Sequence, residues 1–121
     1  MADVTIKKIN ELNNYGNQFF YAGKDLGVTS FGLNISKLPA NWDKYPDHNH
    51  ASDGQEEVYI PLEGSGKLVA GAEEFELKPG IVVRVGAKQK RKIVPGKNGL
   101  HMVMIGGVPD TAWTKKKPSK W

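Results

Sequence analysis

Pro46-Asp47-His48-Asn49-His50, followed by Glu57 and then Gly64, is the stretch on which the reading of this chain turns. Two of the three histidines of the chain sit two residues apart. In extended chain, residues i and i+2 point to the same side. His48 and His50 are therefore expected to aim both imidazoles into one cavity. Pro46 favours extension around it. Ser52-Asp53-Gly54 is a turn signal, and Glu57-Val58-Tyr59-Ile60 reads as the strand that brings a carboxylate back. Two imidazoles and a carboxylate on facing extended segments are the material of a small metal or substrate site inside a β-barrel.

The sequence around this stretch is punctuated like an all-β protein. Fourteen glycines and seven prolines separate short β-rich runs in a chain of 121 residues, a length that predicts one domain. Residues 28–35 read as a strand that Leu38-Pro39 closes. Glu63-Gly64-Ser65-Gly66 reads as a tight turn. Residues 67–70 and 74–77 form a hairpin pattern around Gly71, Lys78-Pro79-Gly80 is a further turn, and residues 81–85 are the strand after it. A basic strand or loop follows, and residues 101–105 end the series. Ile6, Ile9 and Leu12 recur at helical spacing, which predicts one short helix over residues 7–13. Gly64-Ser65-Gly66 is not a nucleotide fingerprint, because no helical pattern follows it.

Composition removes several function classes. The chain has no cysteine, hence no disulfide, thiol nucleophile or cysteine-held metal. Any metal must be held by His, carboxylate, amide or water. No apolar run approaches the ~20 residues of a membrane helix, and the N-terminus lacks the pattern of a secretion signal, so the expected location is the cytoplasm. The net charge of +4 is concentrated in residues 88–92 and 115–120. No aromatic lies within residues 88–92, and only Trp113 and Trp121 flank the tail. A single-strand nucleic-acid reader interleaves aromatics with its basic residues, so this pattern argues for solvated charge.

The first motif resembles that of the cupin family, G-x5-H-x-H-x3-4-E-x6-G. His48-x-His50 and Glu57-x6-Gly64 fit it. Six residues separate His50 from Glu57 where the family has three or four. Gln55 stands at the family's usual spacing and is a rival for the carboxylate position, while Glu57 keeps the register to Gly64. The second motif is half present: Gly71 and Pro79-Gly80 resemble its start, and its histidine position falls at about Arg91. The resemblance spans roughly residues 28–108. It implies an all-β, cupin-type double-stranded β-helix, a jelly-roll barrel, over residues 28–113. Residues 1–27 would be a short irregular or helical segment packed on it, and residues 114–121 a basic tail. It also implies a homodimer.

In that frame His48, His50 and Glu57 are expected to hold one divalent metal ion. Two imidazoles and one carboxylate with open positions suit Fe(II), and also Mn, Ni, Co or Zn. His101 is a further candidate ligand from the last strand. Tyr59 shares the face of Glu57 and is placed among ligand-binding residues with Arg84 and Arg91. Two readings of Arg91 stand side by side. Pointing inward, it clamps an anion or pairs with Glu57; pointing outward, it belongs to a basic loop with Lys90 and Lys92. The sequence thus leaves three functions: a cupin binding a metal and a small metabolite, a metal-dependent enzyme of dioxygenase or isomerase type, and a metal-free small-ligand module.

Overall fold

A computed structural model describes residues 2–109. The tail read as residues 114–121, with Trp113 and Trp121, lies outside them. Seven strands form one antiparallel sheet: β1 (Asn14–Tyr15), β2 (Phe19–Phe20), β3 (Gly32–Leu38), β4 (Glu56–Ala70), β5 (Glu73–Leu77), β6 (Val83–Val85) and β7 (Arg91–Gly107). Their order is β1-β2-β3-β7-β4-β5, and β6 pairs with β4 off this path, at Glu57–Tyr59. A five-residue helix, α1 (Ala22–Leu26), links β2 to β3. Among the described residues no helix is long and apolar enough to cross a membrane.

Two strands dominate. β4 and β7 pair from Glu56↔Gly107 at one end to Ala70↔Arg91 at the other. The ladder slips register between Pro61 and Glu63 and again between Gly64 and Gly66. Such bulges bend a strand and increase its twist. This corrects the reading of Glu63-Gly64-Ser65-Gly66 as a hairpin turn. The glycines serve a bend within β4, not a reversal. Gly64 has φ +82, and a Cβ there would lie 2.1 Å from the carbonyl oxygen of Gly99. Only a glycine lets the two backbones approach so closely.

The inward face alternates as a pleated sheet requires. Tyr59, Leu68, Leu77, Val85, Ile93, Leu100, Met102 and Met104 form the interior, joined by Leu38 and Tyr45. A smaller apolar cluster sits outside the sheet. There Leu12, Phe20 and Ala22 of the N-terminal segment cover Ile35, with Leu33 and Val103 packed beside it.

Other local readings shift. The predicted helix over residues 7–13 is only a 3-10 turn, Ile9–Glu11, none of whose residues is buried. A segment that short gains too little from helical hydrogen bonding to persist without packing. The N-terminal segment instead supplies β1, β2 and α1, and β2 pairs with β3 in the main sheet. The strand read at 28–35 runs from Gly32 to Leu38. The one read at 81–85 begins only at Val83, because Ile81 still donates to the Lys78 carbonyl in the preceding turn. The last strand starts ten residues earlier than read, at Arg91 rather than His101. The hairpin at Gly71 stands as read, with Ala70 opposite Glu73.

Candidate metal centre

His48 and His50 lie not in a strand of the sheet but in an extended segment laid against the start of β7. Their positions are set by backbone bonds. His48 exchanges both hydrogen bonds with Arg91, N–H to carbonyl at 2.9 Å and carbonyl to N–H at 2.8 Å, and His50 N–H donates to the Ala87 carbonyl at 2.8 Å. The i, i+2 relation then places the two rings edge to face, centroids 5.2 Å apart. Glu57, at the start of β4, faces them. One donor atom from each of His48, His50 and Glu57 lies within 4.8 Å of the others.

The outer nitrogen of each ring is already committed. His48 Nδ1 lies 3.0 Å from the Pro46 carbonyl, and His50 Nδ1 lies 3.2 Å from Asp53 Oδ2. A carbonyl and a carboxylate only accept, so each Nδ1 carries the proton. In the neutral rings both Nε2 lone pairs are then free, and His50 Nε2 lies 3.4 Å from Glu57 Oε1. Fixing the ring through its other nitrogen is how a metal-ligating histidine is held in the correct tautomer.

The Gln55 amide nitrogen turns to Asp53. Gln55 steadies Asp53, donating from its backbone N–H at 3.1 Å and from Nε2 at 3.0 Å. The Gln55 backbone N–H, then the His50 ring, hold the Asp53 carboxyl below its ordinary pKa. Asp53 therefore stays ionised as the acceptor for His50. The sequence showed Asp53 only as a turn residue. Its place three positions after His50 is the signal that it also orients that ring.

Arg91 points inward. Its residue is fully buried, which decides between the two readings of it. Nε donates to the Tyr59 hydroxyl at 3.3 Å, one terminal nitrogen donates to the Gln89 and Gly86 carbonyls at 2.8 and 3.4 Å, and the other donates to Glu57 Oε1. Burial alone would lower its pKa, but the hydrogen bonds and charges of Tyr59 and Glu57 raise it above the ordinary value. The guanidinium is spent within the protein and has little left to clamp a ligand. The Tyr59 hydroxyl passes a hydrogen bond to Glu57 Oε1 at 2.9 Å. Burial, then the Glu57 charge, pushes the Tyr59 pKa upward, so it remains a donor.

Two expected participants stand elsewhere. Arg84 lies on the exposed side of β6 and pairs with Glu56 at 2.9 Å. The reason is parity: Val83 and Val85 turn toward the interior, so the residue between them turns out. His101 lies between the inward residues Leu100 and Met102. It too faces away, with Nδ1 3.4 Å from Glu63 on the outer side.

Beside the histidines the wall is aromatic. Tyr45 packs on His48 with centroids 6.0 Å apart, and Phe19 connects Tyr45 to Trp42 at 5.8 and 6.1 Å. Gly106 faces Glu57 across the ladder, and the Gln55 side chain occupies the space beside it: a Cβ at Gly106 would lie 2.6 Å from Gln55 Oε1.

No family model matches this sequence, and no curated protein matches it. Solved structures do. A cupin protein from Bacteroides fragilis matches with a TM-score of 0.72 at 19% identity, over 100% of this chain and 99% of that one. The cupin domain of Cnp3 from Schizosaccharomyces pombe matches with a TM-score of 0.65 at 18% identity, over 84% of this chain and 67% of that one. A sugar phosphate isomerase from a cupin superfamily, from Silicibacter pomeroyi, matches with a TM-score of 0.64 at 21% identity, over 74% and 57%. At these identities the likeness is one of fold. This chain is a small all-β protein with the cupin fold.

Proposed function

We propose that this protein binds one divalent cation on His48, His50 and Glu57 and takes a small metabolite beside it in the barrel. The observation that carries the reading is the tautomer. Both Nδ1 atoms are tied to acceptors, so both Nε2 atoms are bare where Glu57 also converges. Two neutral imidazoles and one carboxylate fit Fe(II), Mn(II), Co(II), Ni(II) or Zn(II).

A bound cation of this kind supplies Lewis acidity at its open positions. The chain's own residues do the rest. Asp53 and the Pro46 carbonyl hold the rings. Tyr59 and Arg91 hold Glu57 by a single oxygen. Tyr45, Phe19 and Trp42 exclude water on one side and offer flat apolar surface to a ligand. The named isomerase among the structural matches keeps a metal-dependent enzyme as the second reading, since the same ligand set would serve it. The metal-free anion-binding module is favoured least, because Arg91 has its donors already engaged. Homodimerisation and a cytoplasmic location belong to this proposal as well.

The test is metal content. Purified untagged protein, stripped and then dialysed against each ion, is expected to retain about one ion per chain. His50→Ala is expected to retain none. Failure of every ion to bind would overturn the reading.

A further inference from the structure

The charge inside the site is unusual for a cation site, because a cation is already there. Glu57 contributes one negative charge, and an imidazole that gives its Nε2 lone pair to a metal contributes none. Arg91 contributes one positive charge that protein chemistry cannot remove. Its guanidinium shares with Tyr59 and His50 the same carboxylate oxygen, Oε1. The nearest other charges are the Asp53 carboxylate, 3.2 Å from the His50 ring, and two cations that are paired elsewhere. Lys90 is exposed and its amine lies 3.9 Å from Asp47; Arg84 is paired with Glu56 on the outer side.

We infer that Arg91 is a resident cation that competes with the metal for Glu57, stabilising the metal-free barrel while weakening metal binding. This rests on the metal site proposed above. The physical argument is electrostatic and has a definite sign. A buried carboxylate needs a counter-charge. Without metal, Arg91 supplies it, and the guanidinium is over-determined by the Gln89 and Gly86 carbonyls and cannot swing away. With metal, a divalent ion must sit beside a fixed positive charge in a half-buried site, where like charges repel more than they do in open water. The site then selects for ions that bind imidazole tightly and against ions that depend on carboxylate charge, such as Mg(II) and Ca(II).

A residue that merely orients Glu57 and one that competes for it predict opposite signs. The experiment is titration of stripped protein with Zn(II), Co(II) and Ni(II), with thermal unfolding measured with and without metal. Arg91→Met is expected to lower the unfolding temperature of the metal-free protein, to bind metal at least tenfold more tightly than wild type, and to regain its stability when loaded. Arg91→Gln, which keeps a donor but no charge, is expected to do the same in a milder form and serves if Arg91→Met does not fold. Arg91→Lys keeps the charge and is expected to bind no more tightly than wild type. Metal binding by wild type with no tightening in Arg91→Met or Arg91→Gln overturns the inference and leaves the metal site standing. Binding by the charge-free variants alone overturns the metal site of the natural protein while supporting the competition for Glu57. No binding by any of the four proteins overturns the metal site, and the inference with it.

Discussion

The apolar and polar ends of the barrel interior both draw on β4 and β7, with β5 added at one and the segment of His48 and His50 at the other, and could hardly differ more. At one end Leu68, Leu77, Ile93 and Leu100 fill the space with hydrocarbon. At the other Glu57, Tyr59, Arg91, His48 and His50 form a connected polar network, and among the described residues no buried side-chain nitrogen or oxygen lacks a partner. The apolar end draws stability from area removed from water and is indifferent to which hydrocarbon supplies it. The polar end gains little net stability, because the cost of desolvating two charges nearly cancels their attraction. It is held only while the Glu57–Arg91 pair is intact. The lesson is that one barrel carries a robust end for folding and a brittle end for chemistry.

That contrast can be broken in measurable ways. The largest effect is expected from Glu57→Ala, which strands the Arg91 charge and should cost ~3–5 kcal/mol in chemical denaturation. The double variant Glu57→Ala/Arg91→Met should recover most of that loss; if it does not, the polar end is stabilised by something other than mutual charge compensation. Next comes Leu100→Ala at the apolar end, where the side chain is fully buried, with an expected cost of about 3 kcal/mol and no change in metal titration. A change in metal affinity there would mean the two ends are coupled. His50→Ala should abolish metal binding yet shift stability by no more than ~1 kcal/mol, since the ring is partly exposed.

The smallest effect concerns the N-terminal segment. Asp25 has its pKa lowered, first by the Asn13 backbone N–H at 2.7 Å and then by the Asn13 side chain. A depressed carboxyl stabilises the fold above the ordinary carboxylate range and loses that contribution as pH falls through its lowered value. Hydrogen exchange should therefore show the Asn13 protection factor dropping in acid while that of Ile93 holds. In Asp25→Asn the pH dependence should vanish.

Much of the polar end was legible beforehand. His48 and His50 converge because of i, i+2 spacing, which is local geometry. Glu57 was preferred over Gln55 by its register to Gly64, and strand register is carried by the sequence. Arg84 and His101 are candidates only because each lies within a strand pattern. Alternation fixes which residues share a face, but not which face is inside, and for both strands the inner face belongs to the other set. The short strands β1 and β2 carry too few residues to show any period, and β2 holds its shape by pairing with β3.

The sequence by itself determined an all-β chain without cysteine chemistry, a pair of histidines aimed together and a carboxylate to meet them. These follow from residue type and from spacings of a few residues. Only the tertiary structure decided the role of Arg91. In the β4–β7 ladder Arg91 is opposite Ala70, thirteen residues from Glu57 and ~40 Å away if the strands ran straight. The β4–β7 ladder alone leaves the two residues apart, and the guanidinium reaches the carboxylate only because the chain comes back along β4 as β6 just before Arg91. That contact rests on the pairing of β6 with β4, which sets Val85 opposite Glu57, and on the loop after β6, whose Gly86 and Gln89 carbonyls hold the guanidinium.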